Sequence, residues 1–233
     1  MKMKHRLPIV MVLVMVLALA LTAGAMAQNT KFPAYISGIQ VANLQNEPAT
    51  VTLAAYNAYG TKNGSDIVDT VAANGSKTYF PLSNVSDGFS GSVIISSDKN
   101  VAAISNILSS DFSAAASYVG RSAGANEVQL PLLNKDNSGF TTWFSVQNAS
   151  TDEATVNVTY SDGTTAAERT IQPGAAAVYY QNAESHTSPV FAGTVSSDKP
   201  IVAAAIQESS DIIFSYTGFT GGATDPVFPL INA

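Results

Sequence analysis

Ser96-Ser97-Asp98-Lys99-Asn100-Val101-Ala102-Ala103 returns later in the chain as Ser196-Ser197-Asp198-Lys199-Pro200-Ile201-Val202-Ala203, and this pair decides the fold. Outward from it, Phe89-Ser90-Gly91 matches Phe191-Ala192-Gly193, and Tyr118-Val119-Gly120 matches Tyr216-Thr217-Gly218. Upstream, Ala49-Thr50-Val51-Thr52-Leu53 matches Ala154-Thr155-Val156-Asn157-Val158, and Asn43 matches Asn148. The matches run in one order, with spacings of roughly a hundred residues that drift as loop insertions make them drift. Two homologous units follow, bounded at 28–127 and 128–226.

Within the units, Val51, Leu53 and Ala55 alternate with polar or small residues, as do Val156, Val158 and Tyr160, the period of a half-buried strand. Gly60, Asn63-Gly64, Asn74-Gly75, Asp87-Gly88, Asp162-Gly163 and Pro173-Gly174 punctuate the chain at strand-length intervals. In the first unit the pattern predicts strands over about 35–44, 49–58, 66–72, 76–81, 90–97, 100–108 and 112–119. Val101-Ala102-Ala103-Ile104 and Val202-Ala203-Ala204-Ala205-Ile206 have the composition of short helices, but β-branched residues and the Ser-Asp-Lys turn before each favour strands. The expected fold is all-β: two tandem antiparallel immunoglobulin-like β-sandwich domains, with strand order left open.

A third element repeats. Lys31-Phe32-Pro33-Ala34-Tyr35-Ile36 resembles Gln129-Leu130-Pro131-Leu132-Leu133-Asn134, which resembles Val227-Phe228-Pro229-Leu230-Ile231-Asn232. Two bodies thus carry three copies of one proline-centred strand, and proline confines it to an edge or a bulge. Residues 227–233 hold four large apolar side chains and no charge. Either they complete the second body, or they meet the first body of another copy as the middle segment meets the second body. In the latter case Val227, Phe228, Pro229, Leu230 and Ile231 form an intersubunit strand, and Phe32, Pro33, Tyr35, Leu130, Pro131 and Leu132 are the acceptor or equivalent segments. Burial of each large side chain contributes about 1.5–3 kcal/mol, offset by about 1–2 kcal/mol per ordered residue. Such a segment therefore needs a preformed groove.

Composition narrows the function. The 233 residues contain no cysteine, two histidines and only 12% charged residues. Disulfides, thiol nucleophiles and cysteine metal sites are excluded. Lys2, Lys4 and Arg6 precede an uncharged run from Leu7 to Ala27 that ends Ala25-Met26-Ala27, the form of a secretory signal peptide at 1–27. The mature chain keeps 8 basic and 17 acidic residues, a net charge of −9, which disfavours nucleic acid. No second long apolar run follows, so the expectation is a secreted, extracellular or cell-surface protein that does not reside in a membrane after signal cleavage.

On its turn motifs Ser-Ser-Asp-Lys and Phe-x-Gly and its tandem organisation, the mature chain resembles secreted microbial sandwich-repeat proteins of the cell surface, including fibre subunits joined by donor strands. The resemblance implies a structural or adhesive role and carries over no functional residue. Chemistry is sparse: His186 is expected on a loop surface, and Asp98 and Asp198 in Asx-type turns. Asn134-Lys135-Asp136-Asn137-Ser138-Gly139 begins like a calcium loop but has Ser145 where the twelfth position requires glutamate. Trp143 is a ligand platform or an interface aromatic. No catalytic constellation, cofactor site or metal site is expected. The reading is a non-catalytic structural protein whose partner is a further copy of itself in a head-to-tail filament. The alternative is a monomeric adhesin that binds cell-surface glycans or other surface proteins.

Overall fold

The structure, a computed structural model, describes residues 30–32, 34–227 and 229. The signal segment at 1–27, Pro33, Phe228, Leu230 and Ile231 lie outside the described residues. The first unit contains β1 (Tyr35–Asn43), β2 (Ala49–Asn57), β3 (Lys62–Val71), β4 (Ser76–Tyr79), β5 (Gly91–Ser97), β6 (Val101–Ser109) and β7 (Ala115–Val119). They form antiparallel sheets of order β4-β1-β6-β7 and β3-β2-β5. Ile39, Val41 and Tyr79 from one sheet pack with Val51, Leu53 and Val71 from the other.

The second unit contains β8 (Ala125–Asn134), β9 (Thr141–Asn148), β10 (Ala154–Tyr160), β11 (Arg169–Ile171), β12 (Ala176–Tyr180), a 3-10 turn at Gln181–Ala183, β13 (Val190–Glu208) and β14 (Ile213–Thr217). The order is β11-β10-β13-β9-β12, with β14 and β8 also on β13. The 19-residue β13 does the work of both β5 and β6: its first half pairs β10 as β5 pairs β2, and its second half pairs β9 and β14 as β6 pairs β1 and β7. Among the described residues the structure is nearly all β, and no helix is long and apolar enough to cross a membrane.

The repeated residues turn out to be strand connectors. Asn43 Nδ2 donates to the carbonyls of Glu47, Val71 and Ala72, and Asn148 Nδ2 to those of Asp152 and Ile171. Each stitches a β-turn to the neighbouring strand's end, where buried carbonyls need a donor. Asp98 and Asp198 do not act within their own turns as expected. Their Oδ1 atoms accept from the backbone N–H of Thr50 and Thr155, both at 2.7 Å, so each caps the adjacent strand.

Three expectations are corrected. Asn63-Gly64 is not a turn: β3 begins at Lys62, and the pair sits beside a register shift where Gly64 has φ 65°. The hairpin turns at Tyr59-Gly60, where Asn57 Oδ1 accepts from the N–H groups of Tyr59 and Thr61. The expected unit boundary at 127/128 cuts a strand, because β8 starts at Ala125, opposite Ile201. The Ser-Asp-Lys-Pro turn does not end a strand in the second unit, since pairing with β8 continues on both sides of it.

Candidate functional site

β8 is the middle copy of the proline segment, and it is the one strand of the second unit without a described counterpart in the first. It lies antiparallel on the first half of β13, with Val128 opposite Val195, Leu130 opposite Gly193 and Leu133 opposite Phe191. The backbone of Gln129 exchanges both hydrogen bonds with Phe219, just past β14, so β8 closes the side of the unit between β13 and β14. Val128, Leu130 and Leu133 are fully buried in the core.

Pro131 cannot donate to the ladder, and the register shifts between Leu130 and Leu133 at this point. The Leu132 carbonyl at the shift accepts from the Tyr216 hydroxyl at 2.7 Å and from Gln207 Nε2 at 3.0 Å. Beside it, Thr194 Oγ1 donates to Gln129 Oε1 at 2.8 Å. Tyr216 is held at the rim by this bond, and burial pushes its hydroxyl pKa up to about 12.

The corresponding side of the first unit is built differently. Among the described residues β5 pairs with β2 alone. Val93, Ile94 and Ile95 are only half-buried, and the strand carries no charge or proline to protect its edge. By contrast, β3 at the opposite edge of the same sheet carries Lys62, Asp66 and Asp69. Val101 and Ala103 are half-exposed where their equivalents Ile201 and Ala203 are buried. Tyr118, which faces Ser105 as Tyr216 faces Ala205, stands where a hydroxyl would meet an added strand.

At its other end this side is covered by the second unit. Phe32, Ile107 and Ala114 pack with Ile206 and Ile213, with Tyr35, Ala116 and Trp143 around them. Ser215 Oγ and Thr217 Oγ1 donate to the carbonyls of Ser117 and Val119, and the Ser92 hydroxyl donates to the Gly174 carbonyl. The first copy of the proline segment is therefore not a second β8. Phe32 is 5% exposed in the joint between units, and Tyr35 already belongs to β1. The upper half of the β5 edge is left without it.

The last copy follows β14 at the spacing with which β8 follows β7. Tyr118 to Pro131 and Tyr216 to Pro229 span the same number of residues, so that Ala125-Asn126-Glu127-Val128 aligns with Ala223-Thr224-Asp225-Pro226. Constant spacing from the Tyr-x-Gly motif onward extends the six-residue match to ten. Gly221 to Val227 are exposed, Val227 by 90%.

The remaining candidates resolve into structure. Trp143 is half-buried, its ring 5.7 Å from Tyr35 and 6.3 Å from Tyr180, so it is an aromatic of the joint within the chain. Beside it Glu208 is fully buried and accepts from the Lys31 backbone N–H at 2.8 Å. Burial pushes its carboxyl up to about 7, against the opposing effect of that bond and the Lys31 charge.

His186 is not a surface residue: its side chain is wholly buried, stacked 3.9 Å from Phe191. Its Nδ1 lies 3.2 Å from both Asp162 Oδ2 and Thr164 Oγ1. Both contacts fall on one ring nitrogen, and with the Thr187 N–H donating to Asp162 Oδ2 they tie the Asp162–Thr164 turn to the His186 segment. Burial would raise the Asp162 pKa, but hydrogen bonds from Thr164, Thr187 and His186 hold it below the usual carboxylate range. In the Asn134–Gly139 loop, Asn137 Nδ2 donates to Asn134 Oδ1, and Lys135 reaches the Glu184 carbonyl.

No family model matches the chain, and no curated protein matches it. Among solved structures, protein 1070 of Thermotoga maritima aligns with a TM-score of 0.34 and 14% identity, over 41% of this chain and 94% of that one.

Proposed function

We propose that the protein is a non-catalytic, secreted structural protein whose copies join by β-strand addition, each unit being a sandwich of immunoglobulin-like architecture in the broad sense of two facing antiparallel sheets. One observation carries this reading: the strand that follows the first unit closes the second, and a ten-residue segment that aligns with it, with Pro226 in place of Val128, follows the second unit with its described part exposed. In the proposed junction, residues 223–232 of one copy add to the upper half of β5 in the next, as β8 adds to β13.

The cross-strand chemistry supports this register. Asp225 falls opposite Ser96, Val227 opposite Ile94 and Phe228 opposite Val93. The hydrogen-bonded pair Gln129/Thr194 is thereby replaced by the aliphatic pair Val227/Ile94, each suited to its own partner. Tyr118 would bond the Leu230 carbonyl as Tyr216 bonds that of Leu132.

The cysteine-free chain permits a direct test. Opposite residues in an antiparallel pair have Cα atoms about 4.5–5.5 Å apart, within disulfide range. A chain carrying Ile94→Cys and Val227→Cys should form an oxidised ladder of multimers. A control with Val68→Cys on β3 and Val227→Cys should not. Equal ladders, or none from the first pair, would overturn the reading.

A further inference from the structure

The joint between the two units has two sides, and each side has an uncovered equivalent on the other unit. The registers give the equivalences: Ile39 faces Ser105 as Phe144 faces Ala205, and Ile107 faces Ala116 as Gln207 faces Phe214. Within the joint, Tyr35, Ala114 and Ala116 of the first unit meet Trp143, Ile206 and Ile213 of the second. The former trio corresponds to Phe140, Ile212 and Phe214, and the latter to Gly38, Asn106 and Ala115.

Both equivalent surfaces are open. Phe214 is 53% and Ile212 41% exposed, and the Phe214 ring stacks on Phe140 at 5.9 Å. On the first unit, Gly38, Phe80, Asn106, Leu108 and Ala115 line a groove of about 350 Å³ that contains no charged residue, and Phe80 is 45% exposed. Gly38 stands where the second unit has Trp143, and the Phe80 side chain packs directly over it as one wall of the groove.

We propose that the Phe140/Ile212/Phe214 patch of one copy docks in the Gly38/Phe80/Ala115 groove of the next, repeating between copies the joint that links the units within a copy. The sizes at two corresponding pairs of positions are exchanged. Inside the chain, Ala114 and Ala116 lie in one cluster with Trp143 and Ile213, alongside Phe32, Tyr35 and Ile107; between copies, the larger Ile212 and Phe214 meet Gly38 and Ala115. A tight interface conserves summed volume more strictly than identity. Two different surfaces take part, so the contact is heterologous and leaves a free patch and a free groove at the ends of any chain of subunits. Exposed aromatic and aliphatic groups clustered this way are the expected core of an interface.

This inference deepens the assembly reading and relies on it for the direction of joining, but it uses different residues. Full-length mature chains carrying Phe214→Lys or Ala115→Glu should each associate at least tenfold more weakly by analytical ultracentrifugation. Both sites are exposed, so the monomer should stay folded, with thermal unfolding shifted only by the lost stacking of Phe214 on Phe140. An equimolar mixture of the two variants should regain a complex, because the intact patch of the Ala115→Glu chain meets the intact groove of the Phe214→Lys chain. Native-like association of both single variants, or a mixture no better than either alone, overturns the inference. If removing residues 226–233 abolishes assembly while both variants assemble, strand addition stands and this docking falls. If the deletion assembles and the variants do not, docking stands and strand addition falls.

Discussion

The two units share all of the first unit's strand pairings, yet they close the same side by different means. The second unit seals the gap between β13 and β14 with β8, an added strand whose Val128, Leu130 and Leu133 reach the core. The first unit covers half of its gap with the outward face of its neighbour and leaves Val93, Ile95, Val101 and Ala103 half-buried at the other half. The difference teaches that one set of strand pairings can leave a side closed or open: the second unit opens with the strand that closes it, whereas the described first unit has only its neighbour over part of the same side.

The largest effect should come from the added strand itself. Leu130→Ala removes a fully buried side chain and should cost about 2–5 kcal/mol in urea unfolding. Phe228→Ala, its counterpart by sequence, should leave unfolding of the dilute monomer unchanged and reduce only assembly. Equal destabilisation of the monomer by both would mean that the segment at 227–233 packs in its own molecule, and the contrast between units would disappear.

Glu208 sharpens the contrast at the joint, since Leu108 holds the equivalent place in the first unit. With its pKa raised to about 7 from an ordinary 4.5, Glu208 binds more protons in the folded state. Its stabilising effect is therefore complete below about pH 4.5 and is lost as pH rises through 7, about 3 kcal/mol in all. Glu208→Gln should flatten that portion of the stability profile measured by denaturation between pH 4 and 8. Lys31 is the charged residue that opposes the shift, so Lys31→Ala should raise the midpoint further.

Much of this architecture was legible in the sequence where it depended on local pattern. The first unit's expected strands match the observed ones to within a few residues, apart from β3, because alternation and turn residues act over short range. Ser-Ser-Asp-Lys marked a real connector, but its chemistry was misjudged: Asp98 caps a strand forty-eight residues away, which no local rule exposes. Phe-x-Gly misled by two residues. Leu53 faces Ile95 as Val158 faces Val195, so register places Gly91, not Phe89, at the position of Phe191. The burial of His186 depends on Phe191 and Tyr160 closing around it from other strands. Of the candidate site, the sequence disclosed the third segment, whereas the open edge of β5 and the groove beside Gly38 depend on how sheets end and what covers them.

Asn43 and Asn148 test whether the units remain alike away from the differing side. Each is almost fully buried and gives its amide to two or more carbonyls. Replacement by Ala strands those acceptors, and each substitution should lower stability by about 2 kcal/mol in the same chemical melt. A melt in which the two substitutions act on separate transitions, with the Asn43→Ala loss in the earlier one, would show that the first unit unfolds ahead of the second.

The smallest effect isolates the donor strand's carbonyl. Tyr216→Phe deletes one hydroxyl that donates to Leu132 and leaves the ring in place, so the monomer should lose about 1 kcal/mol, the net worth of one hydrogen bond. Gln207 still donates to the same carbonyl, which keeps the loss at that level. Tyr118→Phe makes the identical change in the first unit, where no described residue offers that carbonyl. Unfolding of its monomer should be indistinguishable from the native protein, while the association constant falls about fivefold, the same free energy now read between copies. A stability loss in the Tyr118→Phe monomer equal to that of Tyr216→Phe would mean that the hydroxyl already has a partner in its own chain. The open side of the first unit would then be closed from within.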